Sequence, residues 1–265
     1  MPVDLAALIA DLAGESAELY EVLSVLAEPE WARETPAPGW TVRDQAAHLA
    51  FFDDAAVLSA TDPGRFRAEA DALLAQSGDL GERVARRFRG QSGPEAFAWF
   101  QRARRQYLDV FAGLDPGTTL PWYGPDMSAA SSVTARLMET WAHGQDVVDT
   151  LGLVRRPTAR LRHVAHLGVR TFGWSFRVHD RPVPDAPVRV ELTGPDGEAW
   201  TWGPEDAVDR VSGPAEDFCL VVTQRRNRAD TGLVAAGPVA GQWLDVAQAY
   251  AGSPGTGRAP MAEPS

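Results

Sequence analysis

Apolar residues recur at three- and four-residue spacing through Leu5, Leu8, Ile9, Leu12, Leu19, Val22, Leu23 and Leu26. That period predicts an amphipathic helix of about 22 residues. Pro36-Ala37-Pro38-Gly39 interrupts regular structure. Thr41, three residues before Asp44, matches a capping box and predicts a helix running through His48, Phe51 and Phe52 to about Ala60. The polar, arginine-bearing stretch from Pro63 to Arg89 reads as short helices. Gly93-Pro94 opens another helix, with Phe97, Phe100, Tyr107, Leu108 and Phe111 along one side. Pro116 to Pro125 is turn-rich, and Ser128 or a near neighbour caps the helix that continues through Asp146. Four substantial helices with moderate connections predict a bundle.

The pattern changes after Gly152. A helix is expected from about Thr158 to Phe176. Val188-Arg189-Val190-Glu191-Leu192-Thr193 then alternates apolar and polar residues, the two-residue period of a half-buried strand. Gly194-Pro195-Asp196-Gly197 is a turn, and Glu198 to Trp202 returns as the second strand of a hairpin. Val208 to Val211 adds a possible third strand, while Ala215 to Arg226 and Val239 to Tyr250 read as helical. The predicted fold class is α+β: a four-helix bundle over 1–152, a smaller α+β domain over 153–252 and a disordered, Gly/Pro-rich tail over 253–265.

Composition narrows the function classes. With 45% apolar and 23% charged residues the chain has globular usage. A formal net charge of −11 argues against nucleic acid or an anionic membrane as partner. All 25 basic residues are arginine, which excludes a Schiff-base lysine and a P-loop lysine. Heavy Ala, Arg, Gly, Pro, Asp and Val usage suggests a GC-rich, actinobacterial source. Cys219, the single cysteine, lies in the apolar run Phe218-Cys219-Leu220-Val221-Val222 and reads as a buried structural thiol. No secretory signal pattern opens the chain, and no apolar run reaches the ~18 residues of a membrane span. A cytoplasmic protein is expected, either monomer or homodimer.

The candidate chemistry sits on two of the predicted helices. In Leu137-Met138-Glu139-Thr140-Trp141-Ala142-His143-Gly144-Gln145-Asp146, Glu139 and His143 are four residues apart and share a helix face. His48 supplies a second imidazole from another helix. Three such donors leave one coordination position open, the pattern of a catalytic zinc site, and they suit other divalent transition metals too. Asp146, seven residues beyond Glu139, falls on roughly the same face as a ligand-orienting group or base. A Glu/His pair at this spacing also arises as a solvated salt link, so both readings stand on the residues alone. His163 and His166 lack a carboxylate at ligand spacing, and they and His179, beside Asp180 in a loop, read as surface or packing residues. No dinucleotide fingerprint follows a strand, and no Gly-X-Ser-X-Gly elbow is present. Arg225-Arg226-Asn227-Arg228 reads either as an anion clamp or as a solvated helix end. Trp40 and Trp141 read as core or rim packing, and Tyr123 as a candidate pocket residue.

Two segments carry a resemblance: Gly39-Trp40-Thr41-Val42-Arg43-Asp44-Gln45-Ala46-Ala47-His48-Leu49 and Met138-Glu139-Thr140-Trp141-Ala142-His143-Gly144-Gln145-Asp146-Val147. Paired, they resemble the N-terminal domain of mycothiol-dependent maleylpyruvate isomerases, within the DinB-like four-helix metalloprotein superfamily, over about residues 5 to 152. The resemblance implies a bundle whose metal, usually zinc, is held by a His of the second helix and a Glu-X3-His of the last, positions filled by His48, Glu139 and His143. It also implies mycothiol as cosubstrate and an arginine of the C-terminal domain near the site, for which Arg225 is the candidate. The second half departs from the isomerases. Phe218 to Arg228 and Pro238 to Leu244 resemble an actinobacterial branch of metal-binding proteins whose C-terminal domain is similar to a wyosine-base-formation segment.

The function these readings favour is a metal-dependent S-transferase or isomerase. Mycothiol, or a similar small thiol, is activated for reaction with a small electrophilic substrate. Asp146 or a water handles protons, and Arg225 binds an anionic group. A hydrolase using a metal-activated water and a noncatalytic metal-binding protein are the alternatives.

Overall fold

The computed structural model describes residues 4–78 and 80–261. The chain divides into two compact units, Met1–Arg155 and Arg156–Ser265. The class is α+β, as the sequence pattern predicts.

The first unit is a bundle of α1 (Leu5–Ser24), α3 (Val42–Thr61), α6 (Gly93–Ala112) and α7 (Ala129–Leu151), with short helices α2 (Glu28–Trp31), α4 (Pro63–Leu74) and α5 (Leu80–Phe88) on its connections. Each long helix packs on two others: α3 on α6 and α7, and α1 on α7 and α6. The predicted starts are built as the residues dictate. At α3 the Thr41 hydroxyl accepts from Asp44 N (3.3 Å) while Asp44 Oδ2 accepts from Thr41 N (2.8 Å), which closes a reciprocal capping box. Ser128 caps α7, and Gly152, at φ +68°, ends it in the left-handed conformation that glycine adopts without strain. Leu12, Leu19, Leu23, Trp31, Val42, Leu49, Phe100 and Val147 fill the core. Gly93 is required at the start of α6, because a Cβ there would lie 2.0 Å from Trp31 Cγ. The turn-rich connection before α7 is pinned by a two-stranded ribbon, β1 (Thr119–Leu120) against β2 (Met127–Ser128).

The second unit holds α8 (Leu161–Arg170), α9 (Phe172–Val178), β3 (Val188–Thr193), β4 (Ala199–Trp202), β5 (Asp209–Pro214), α10 (Ala215–Val222), β6 (Val234–Ala236) and α11 (Pro238–Val246). The predicted hairpin is β3–β4, with Val190 opposite Trp202. The sheet order is β4-β3-β5-β6, and β5 runs parallel to β3 while the other pairs are antiparallel. Val190, Leu192, Trp200 and Val211 face a core shared with Phe218 and Trp243.

Four features differ from expectation, the first being that the helices expected over 215–226 and 239–250 end at Val222 and Val246. The helix expected over 158–176 is two helices, divided at Thr171. Strand β6 is three residues long and lacks enough alternation to register. Residues 253–261 were expected to be a disordered tail, yet they are held on the second unit. Gln248 donates to Ser253 O (3.2 Å) and accepts from Gly255 N (3.0 Å), Asn227 donates to Arg258 O (2.7 Å), and Met261 N donates to Asp230. Backbone groups of a Gly/Pro-rich segment take side-chain partners that composition does not reveal. The rest of the expected tail, 262–265, lies outside the described residues.

Candidate metal centre

Helices α3 and α7 meet so that one donor atom each from His48, Glu139 and His143 all lie within 4.8 Å of one another. Glu139 Oε2 is 3.5 Å from His48 Nε2 and 3.1 Å from His143 Nε2. The two imidazole rings are 4.3 Å apart between centroids. The cluster is mostly buried: the Glu139 side chain retains 22% of its surface, against 12% and 10% for His48 and His143.

The tautomer of His143 is set by a chain of hydrogen bonds. The Thr35 hydroxyl donates to Trp40 O (2.9 Å) and accepts from Gln45 Nε2 (2.9 Å). Gln45 therefore turns its Oε1 to His143 Nδ1, with which it makes a short contact. In the neutral imidazole Nδ1 then carries the proton and donates, which leaves the Nε2 lone pair free for a ligand. That lone pair faces the Glu139 carboxylate at 3.1 Å, an arrangement that repels unless positive charge sits between the two. A tetrahedral divalent ion about 2.0–2.2 Å from each donor sets donor separations of roughly 3.3–3.6 Å. The donor types suit such an ion; the two Glu139–imidazole separations, 3.5 and 3.1 Å, lie within and just below that range, and the third is within 4.8 Å.

Charge preferences agree with this chemistry. Burial lowers the His48 pKa from 6.5 to about 4, helped by the neighbouring His143, so its imidazole is neutral and able to ligate near neutrality. Burial works to raise Glu139, but with no ion bound, hydrogen bonds from the ring N–H groups of His143 and His48, and their charge when protonated, outweigh it and hold the carboxyl well below its usual range.

Beneath the cluster lies a buried ionic network that the sequence pattern did not reveal. Asp53 of α3 accepts from Arg104 Nε (2.7 Å) and Nη2 (3.1 Å) of α6, and from Arg136 Nε (2.9 Å) of α7. Arg104 also donates to Ser16 of α1 (2.6 Å) and Thr140 of α7 (3.0 Å), so one network ties all four bundle helices. Arg136 Nη2 donates to Leu49 O (3.1 Å), the carbonyl next to His48 in sequence. Arg136 and Gln45 each precede a cluster donor by three residues, on the same helix face. That spacing was the signal available for finding them.

Of the residues singled out by sequence, His48, Glu139 and His143 come together. Asp146 is fully buried on α7 and is not among the donors within 4.8 Å. Arg225 belongs to the second unit, just beyond α10, where its N–H donates to Leu220 O and its Nη1 to Thr223 O (both 2.7 Å). Cys219 is fully buried with its thiol pKa pushed well up by burial, as expected of a structural cysteine. Trp40 lies against both histidines, 5.3 Å from His48 and 5.7 Å from His143. Tyr123 packs on Phe52, which lies 4.6 Å from His48.

Fold and site together define a helical-bundle protein with a His–Glu–His cluster between two of its helices, joined to a small α+β unit. Residues 12–148 match the family model described as mycothiol maleylpyruvate isomerase N-terminal domain, and the chain belongs to that family. Residues 184–235 match the model described as wyosine base formation. Two relatives from Mycobacterium tuberculosis, uncharacterized protein Rv0036c of strain H37Rv and uncharacterized protein MT0041 of strain CDC 1551, are each 44% identical over 250 residues, covering 94% of this chain and 97% of theirs. Two crystal structures of the mycothiol-dependent maleylpyruvate isomerase, one of a point mutant, share the fold. The TM-scores are 0.60 and 0.58 at 13% and 14% identity, with 88% of this chain and 93% of each structure covered.

Proposed function

We propose that this chain is a thiol-dependent transferase or isomerase in which His48, Glu139 and His143 hold a divalent ion, most simply zinc. The observation that carries the reading is the convergence of these three donors inside the segment that matches the isomerase family. A bound divalent ion supplies Lewis acidity, lowering the pKa of a thiol or water brought to it. Mycothiol, named for the family, is the proposed cosubstrate, and a small electrophile is its reaction partner.

The residues of the chain have separable tasks. His48 presents Nε2 from α3, while Glu139 and His143 present theirs from one face of α7. Gln45 keeps the proton on His143 Nδ1 and so keeps Nε2 available. Arg136 and Asp53 tie α7 to the backbone of α3 beside His48 and hold the two donor-bearing helices in register. Asp146 is retained as a group that orients a ligand or moves a proton, and Arg225 as an anion-binding group. A cytoplasmic setting and a monomeric or homodimeric state complete the proposal.

The test is calorimetric titration of mycothiol into zinc-loaded protein, repeated with His48→Ala. Saturable binding that the substitution abolishes is expected. Absence of binding to the loaded protein, or binding indifferent to His48→Ala, overturns the thiol reading. A hydrolase predicts no sulfur-to-metal charge-transfer band when a thiol is added to the cobalt-substituted protein, whereas the proposed enzyme predicts one.

A further inference from the structure

Helices α3, α4 and α5 border a cavity of about 330 Å³, lined by Phe51, Leu73, Gln76, Arg83, Val84 and Arg87. That volume falls at the lower end of the roughly 300–1,000 Å³ range of small-molecule pockets. None of the three cluster donors lines it, so it is a separate space from the candidate metal centre. Its chemistry is divided. Phe51, Leu73 and Val84 contribute apolar surface, while Arg83 and Arg87, four residues apart on one face of α5, contribute two guanidinium groups. No carboxylate is among the described lining residues, in a chain whose formal net charge is −11. The local sign opposes the global one.

The two arginines have different duties. Arg83 donates from Nη2 to Leu73 O (2.7 Å), and from Nη1 to Gln76 O and to Ser77 O (3.2 Å). These carbonyls lie at and just beyond the C-terminal end of α4, so Arg83 closes that end and offsets its negative dipole. Arg87 makes no ion pair with a described residue, whereas its neighbour Arg86 pairs with Glu82 at 2.8 Å. The Arg87 guanidinium lies over the Phe88 ring, 5.5 Å from its centroid. Phe88 in turn packs on Phe51 (6.1 Å) and Trp99 (4.6 Å). An uncompensated guanidinium fork is therefore seated on an aromatic ring at the cavity, which reduces the ordering it needs to meet an anion.

We infer that this cavity is a second ligand site, one that binds a small organic acid: a single carboxylate on an apolar, ring-sized body. A carboxylate matches the planar fork of Arg87 with two parallel hydrogen bonds. The apolar body displaces water from Phe51, Leu73 and Val84. Inorganic phosphate engages the same fork but leaves the apolar part of the cavity wet, so it is the weaker ligand.

The probe is 4-phenylbutyrate, with 4-phenylbutan-1-ol as its neutral counterpart and butyrate as the acid without a ring. Binding is read by calorimetric titration and saturation-transfer NMR on zinc-loaded and on chelator-treated protein, because a carboxylate can also ligate zinc. The acid is expected to bind about fivefold or more tightly than the alcohol, and about tenfold or more tightly than butyrate, in both preparations. Arg87→Gln is expected to bring acid and alcohol within about twofold of each other. Arg86→Gln makes the same change in net charge one residue away and is expected to leave the preference intact. Leu73→Trp, which fills the cavity, is expected to weaken acid and alcohol together, with circular dichroism checking that it is folded; the arginine pair carries the test if it is not. Equal affinity for acid and alcohol, the same loss in Arg86→Gln as in Arg87→Gln, or displacement of the acid by inorganic phosphate at lower concentration than by unlabelled acid overturns the inference. So does binding confined to the zinc-loaded protein or abolished by His48→Ala, which puts the acid on the cluster instead. Each of these results leaves the thiol reading standing, since that reading is judged by mycothiol binding.

Discussion

Replacing Gln45 by Leu tests the tautomer argument directly. In the metal-free variant His143 is free to move its proton to Nε2 and donate to Glu139 Oε2, 3.1 Å away, leaving a bare Nδ1 against the new apolar side chain. The ion-loaded variant has no such escape, because Nε2 must offer its lone pair and the proton must stay on Nδ1 with no acceptor. Leaving one buried donor unsatisfied costs about 1–3 kcal/mol. Because that cost falls on the loaded state alone, it converts to a roughly 5- to 150-fold loss of zinc affinity, within the range of about 10–100-fold typical of residues that orient metal ligands. Gln45→Glu keeps an acceptor at the same place and should retain affinity. Competition titrations against a chromophoric zinc chelator give the affinities, and melting of the metal-free proteins checks that folding is preserved. A loss below about threefold for Gln45→Leu, or the same loss for Gln45→Glu, would refute the reasoning.

Further expectations concern stability. Asp53→Ala strands the Arg104 and Arg136 guanidinium groups, 1% and 4% exposed in their side chains, without a carboxylate. Breaking a buried pair in this way costs about 3–5 kcal/mol, which for a unit of this size lowers the melting temperature by roughly 10 °C; a fall of under 3 °C by circular dichroism would show that the network is not holding the helices. Metal-free protein should lose stability on acidification from pH 7.5 to 4.5. The unfolded chain takes a proton on His48 near 6.5, whereas the folded chain refuses it until about 4, so unfolding binds protons throughout that window. Roughly 2–3 kcal/mol is at stake. Urea denaturation at the two pH values should show it in the wild type and show it reduced in His48→Gln, and an equal pH dependence in both would contradict the assignment.

The local sequence determined a large part of this protein. Helical periodicity and caps at Thr41 and Ser128 mark α1, α3, α6 and α7, because hydrophobic period and capping act over a few residues and leave their trace there. The i, i+4 spacing of Glu139 and His143 guarantees that they share a face wherever α7 lies. The parallel pairing of β5 with β3, the short β6 and the docking of residues 253–261 left no comparable signal, since their partners are distant in sequence. Likewise nothing in the segment around Arg136 states that its guanidinium meets Asp53 and the carbonyl beside His48.

What the tertiary structure alone decided is the separation of the donors. Residues 48, 139 and 143 form a cluster only because α3 packs on α7 at the register set by the Asp53–Arg136 pairing and the Leu49 carbonyl. The same packing brings Gln45 to His143 across 98 residues of chain. A side chain's type and face are local properties, written in composition and period. Its distance from a residue on another helix is the outcome of burying both faces in one core, which no single segment encodes.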